Sequence, residues 1–165
     1  MTEPLHLSVA RAFVGIRETP GPVSTAVILQ WAKDIGAPPW YHDDDQAWCA
    51  VWMNRLCMAM QWPLSGTGFA LLRALSFETW GRSLSEPTLG CVMVFLRPEG
   101  AHVALYLGET PTHYVVLGGN QGNAVSVTSI AKDRLAFMRW PADAPYAATG
   151  RIATTATGAA SDNEA

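Results

Sequence analysis

Charge is scarce in this chain: 15% of its 165 residues are Asp, Glu, Lys or Arg, and the formal net charge is -3. Without a basic excess there is no electrostatic footprint for nucleic acid, which is excluded as a partner. Long apolar runs are lacking too, since no stretch approaches the roughly 20 residues that a membrane-spanning helix needs. The opening "MTEPLHLSVAR" has neither the basic flank nor the apolar core of a secretory signal, so a soluble protein made in the cytoplasm is expected, with no membrane insertion. Cysteine is sparse and odd in number, three in all, with Cys57 and Cys91 inside the apolar runs "LCMAM" and "GCVMVF". A disulfide framework is therefore a poor reading, and all three are expected to be free thiols. No CxxC, HxxxH or HExxH spacing occurs, so no metal is expected. "GGNQG" resembles a phosphate loop only superficially, having no lysine and no helix after it, and no cofactor is expected.

What is present is an apolar half, 49% of residues, in a length that suits one domain. Val9, Phe13 and Ile16 recur at helical spacing, as do Val27, Ile28, Trp31 and Ile35 after a Ser24-Thr25 start signal. A third helix is expected from about Ala47 to Met60, with Asn54 and Arg55 pointing away from its apolar face, and a fourth over Phe69 to Phe77. From Gly90 the period changes. "CVMVFL", "HVALYLG", "HYVVLGG", "AVSVTSI" and "LAFMRW" are short, rich in valine and aromatics, and divided by turn signals. Helices first and roughly five antiparallel strands second is the pattern of an α+β domain with helices packed on one face of a sheet. That domain spans residues 1–141; residues 142–165 carry almost no apolar side chains and read as a flexible or disordered tail.

The chemistry centres on "DDDQAWCAVWMNRL", residues 43–56. Free cysteine is among the most buried residue types, so Cys49 has a plain reading as core. It also falls in the first turn of the third helix, where unpaired N–H groups and the helix dipole favour a thiolate. Asp43, Asp44 and Asp45 oppose that unless they cap the helix and point away from the sulfur. A nucleophilic Cys49 therefore needs a histidine partner. Among His6, His42, His102 and His113, His102 opens a strand in "GAHVALYLG" and is held most rigidly; the other three read as loop or helix-lining residues, with His42 a weaker candidate base. If Thr110, Pro111 and Thr112 form a three-residue turn, His102 stands opposite Asn120 and can be oriented by it; a two-residue turn would oppose it to Gly119 instead.

The ordered set "DDDQAWCAVWMN", "GTGFALLRALSFETWG", "GCVMVFLRPEGAHVALYLG", "VVLGGNQGNAVSV" and "MRWP" resembles a family of small phage- and prophage-encoded cysteine peptidases and amidases. That family is similar to the NlpC and CHAP cell-wall hydrolases. The likeness runs from "GIRETPG" to Pro141, with two departures, Cys91 in place of Asp and Ala101 in place of Gly. It implies a papain-like fold, Cys49 as nucleophile, His102 as base and Asn120 as its orienting partner. Gln46, Trp48, Asp45 and Gln121 are candidates for the oxyanion or substrate contacts, and Trp40 and Trp48 flank the acidic loop and could wall a cleft. The activity implied is hydrolysis of a peptidoglycan stem-peptide amide by a monomer. It would reach the wall by phage lysis with a holin, in a phage particle, or through a secretion machine. Two other classes share these residues: an inactive wall-binding or phage structural module, and an acyl transferase or secreted amidase effector with the same Cys-His pair.

Overall fold

Alternation in the second half of the chain has an apolar residue at both parities, so a sheet built from it must be covered on both sides. The computed structural model, which describes residues 2–19, 24–44, 46–146, 148–155 and 159–161, has this form. Strands β1 (Arg82–Ser83), β2 (Val92–Arg97), β3 (Gly100–Glu109), β4 (His113–Gly118), β5 (Ser126–Ala131), β6 (Leu135–Trp140) and β7 (Ala159–Ala160) form one sheet in the order β1-β6-β2-β3-β4-β5-β7. All neighbours are antiparallel except β5 and β7. The five long strands are those expected from the valine-rich runs; the two-residue strands at the edges have no sequence signal.

Three α-helices precede the sheet: α1 (Leu5–Arg11), α2 (Ala26–Asp34) and α3 (Cys49–Ala59). Val92, Val94, Val103, Leu105 and Leu117 share a buried core with Leu7, Ile28, Trp52 and Leu56 of these helices. The opposite face buries Met93, Phe95, Ala104, Tyr106 and Val116 in a second core. Part of the stretch read as a loose tail helps to cover it: Ala144 and Ile152 pack there, the Ile152 N–H donates to Tyr106 Oη, and Arg151 pairs with Glu109 at 3.0 Å. A parallel bridge joins Glu109 to Ala153, with the Glu109 N–H donating to the Ile152 carbonyl.

Two sequence expectations need correction. The helix expected over Phe69 to Phe77 is two 3₁₀ segments, Gly68–Leu72 and Ala74–Thr79, because Arg73 between them is extended (φ -114°, ψ 123°). Asn54 does not point to solvent. It is fully buried, its Nδ2 donating to the carbonyls of Ala50 and Leu71 and to Ser65 Oγ, and its Oδ1 accepting from the Ser65 N–H. This one amide ties α3 to the segment from Ser65 to Leu72. Asn54→Ala takes this partner from the Ser65 N–H and the Leu71 carbonyl, while Ser65 Oγ keeps Ser76, and should lower the unfolding free energy by about 2 to 3 kcal/mol, read as a lower urea midpoint.

His6, expected only to line the first helix, is buried instead. Its Nε2 donates to the Gly90 carbonyl at 2.9 Å, and its ring stands edge-on to Trp62 and Trp140. Gly90 has φ +80°, and a Cβ there would come within 2.6 Å of that nitrogen, so glycine is required on both counts.

Candidate active site

Cys49 is the first residue of α3, which has no side-chain cap and no acidic residue in its first turn. The carboxylates just before it turn elsewhere. Asp44, fully buried, accepts from the N–H groups of Thr25 at 2.7 Å and Thr19 at 3.4 Å, and Asp43 accepts from Ser24 Oγ. They therefore organise the start of α2, not of α3. Asp45 lies outside the described residues. With those acids engaged on α2, no described carboxylate caps the N–H groups at the start of α3, the turn that carries Cys49.

His102, fully buried in β3, faces Phe95 across the β2–β3 ladder. Burial pushes the Cys49 thiol up, but the His102 imidazole more than reverses this, helped by the Val103 backbone and the Arg97 charge, and the net pKa is lowered. Cys57 and Cys91 have no such neighbours, and burial pushes both up to about 12. One thiol of three is thus set apart by its surroundings.

The other side of the imidazole is held by Gln121. His102 Nε2 lies 2.9 Å from Gln121 Oε1, and Gln121 Nε2 donates to the Ser126 carbonyl. A carbonyl can only accept, so Gln121 must present nitrogen to Ser126 and oxygen to His102. His102 Nε2 then carries the proton, and Nδ1, which makes no hydrogen bond of good geometry, is left with its lone pair for the thiol.

Asn120 does not fill that role. The turn differs from the expected one, with Glu109 paired to Tyr114, but a bulge between Tyr106 and Gly108 restores the count, Leu105 pairing with Leu117. Carried three residues past that last pair, the same count would set Asn120 opposite His102. Asn120, however, adopts φ +57°, and its Oδ1 is buried without a partner. The left-handed turn brings the next side chain, Gln121, to the imidazole. Gly118 and Gly119 make room. A Cβ on Gly118 would lie 2.7 Å from Gln121 Oε1, and one on Gly119 2.7 Å from Trp52 Cβ. The turn is braced by the Gln121 N–H donating to the Ala124 carbonyl, and by the segment from Gly15 to Glu18, which pairs with Asn123 and Val125.

The remaining candidates separate. Trp48 is fully buried and donates its indole N–H to Glu18 Oε2 at 2.9 Å, so it is a support and not a cleft wall. Trp40 is half exposed and its ring lies 6.0 Å from that of the exposed Phe69. Gln46 is exposed in the loop before α3, its carbonyl accepting from Tyr41 Oη, and does not line the cleft beside Cys49. Tyr41 was not singled out by the sequence; burial first, and the charge of nearby Cys49 second, push its hydroxyl pKa up. The cleft itself, about 140 Å³, contains Cys49, Arg73, Arg97 and Ala101 in its wall. Among the described residues no group of three His, Cys, Asp or Glu side chains could hold a metal ion, and no helix is long and apolar enough to cross a membrane.

No protein-family model, no curated protein and no solved structure matches this chain.

Proposed function

We propose that this protein is a cysteine hydrolase of peptidoglycan, an endopeptidase or N-acetylmuramoyl-L-alanine amidase with a papain-like arrangement of nucleophile helix against base-bearing sheet. The observation that carries this reading is that the buried His102, held by Gln121, acts on Cys49, whose pKa is lowered while those of both other thiols are raised. The choice of peptidoglycan, and of a phage or prophage lysin, rests on the family resemblance of the motifs around these residues.

In the reaction, His102 Nδ1 takes the thiol proton and Cys49 Sγ bonds to the amide carbon of the stem peptide. Negative charge builds on the carbonyl oxygen near the start of α3, where the Cys49 N–H has no partner within the helix. The C–N bond breaks as the imidazolium returns its proton to the departing amine. Water, losing a proton to His102, then attacks the thioester and releases the acid and the thiol. Gln121 acts through His102, as a positioning residue, by holding the tautomer that this sequence needs.

The test is digestion of purified sacculi of several wall chemotypes under reducing conditions, with soluble products weighed. Stem-peptide fragments bearing one new amine and one new carboxyl end are expected. Fragments joined to an added amine would point to acyl transfer, and no fragments from any chemotype would favour a wall-binding module.

A further inference from the structure

The cleft beside Cys49 is walled by small and apolar side chains, among them Ala47, Leu72, Leu75 and Ala101, and by two arginines. Among the described residues no carboxylate lines it, although the chain as a whole is acidic. Arg97, at the end of β2, is near enough for its charge to act on the Cys49 thiol. Arg73 stands in the extended break between the two 3₁₀ segments and is exposed. Among the described residues its charged end meets the Phe69 ring, 5.7 Å from the centroid, and no acid. Arg73 and Leu75 also line a larger groove of about 390 Å³ that continues past Phe69 and Ser76 to Glu78, the one acid in its described lining, so a ligand carboxylate is placed at the Arg73 end beside the cleft. Arg73 therefore stands where the small cleft at the nucleophile opens into a groove with room for more of a ligand. A planar guanidinium with unshared donors at such a junction matches a carboxylate in two-point geometry.

From this placement we propose that Arg73 and Arg97 form a carboxylate subsite, so that the substrate bears a free carboxylate beside the amide that Cys49 attacks. The inference rests on Cys49 being the nucleophile of a hydrolase and names its substrate class: stem peptides with free carboxylates, in preference to those in which the same group is amidated.

The test pairs two alkylating agents of nearly equal shape, iodoacetate and iodoacetamide, and reads the ratio of their rates at Cys49 by mass spectrometry. A small neutral thiol in solution supplies the reference ratio. The wild-type ratio should exceed the reference by about tenfold, and Arg73→Gln should lower it several-fold, each protein's iodoacetamide rate serving as its own control for a folded, reactive site. A His102 imidazolium also attracts iodoacetate, so the difference between wild type and Arg73→Gln carries the decision; a ratio that the substitution does not move overturns the proposal. In parallel, muropeptides with a free D-glutamyl α-carboxylate and their carboxamide counterparts are offered as substrates. Faster cleavage of the carboxylate form, with the preference lost in Arg73→Gln, supports the subsite, and equal cleavage overturns it. If neither form is cut, the hydrolase reading fails, and the alkylation ratio still decides whether the cleft selects a carboxylate.

Discussion

Cys49→Ala is expected to lower the rate of fragment release from sacculi by about 10⁴-fold or more, and His102→Ala to do nearly as much, because the two act as one unit. The double variant should therefore be little worse than either alone. The cause is local. Cys49 owes its lowered pKa to the imidazole, against a burial that by itself raises it. Removing His102 leaves burial opposed only by the Val103 backbone and the Arg97 charge, and so moves the thiol pKa upward. Cys57→Ala and Cys91→Ala should leave turnover per folded molecule close to the wild type. Normal release by Cys49→Ala would place the chemistry elsewhere.

The second large effect is expected at Gln121. Gln121→Ala removes the acceptor that keeps the proton on His102 Nε2, and kcat should fall about 10²-fold or more with KM nearly unchanged. Gln121→Glu keeps an acceptor toward His102 but loses the donor to Ser126. It should recover part of the rate although the Ser126 contact stays lost, which a purely structural role for Gln121 would not allow. Asn120→Ala should cost far less in kcat, because Asn120 Oδ1 has no partner to lose; its main cost is to stability, through the φ of +57° that alanine tolerates less well. Equal losses at the two positions, or a larger loss at Asn120, would restore Asn120 as the orienting residue.

The contrast between these neighbours marks where the sequence stops being informative. Strand content was legible because the valine and aromatic runs are bounded by Gly and Pro, and the placement of Cys49 in a first helical turn followed from the apolar spacing after it. Counting register held as far as Leu105 and Leu117, since a bulge compensated for the misjudged turn. Counting ends where the ladder ends, however, and a single left-handed residue decides which of two adjacent amides faces the imidazole. The available signal was the Gly118-Gly119 pair, whose missing side chains leave space for Gln121 and for the indole of Trp52.

Asn54 was misread for a different reason. A polar residue on an apolar helix is ordinarily solvated, and only the loop folded over it supplies the partners that allow burial. Arg73 likewise breaks what periodicity suggests is one helix, and the break opens the groove next to the cleft. The acidic run was misplaced because sequence proximity to α3 hid its use at α2.

The most direct test of the central claim, a single activated thiol at Cys49, is the rate at which iodoacetamide labels each of the three cysteines as a function of pH. The lowered pKa means that thiolate is present below the ordinary thiol range, so labelling of Cys49 should persist to lower pH than that of an ordinary thiol and fall only as pH drops through that lowered value. Cys57 and Cys91 should stay unlabelled in the folded protein over the same range, and His102→Ala should shift the Cys49 inflection upward. Labelling of Cys49 no faster than that of Cys57 and Cys91, or an inflection that His102→Ala does not move, would contradict the account.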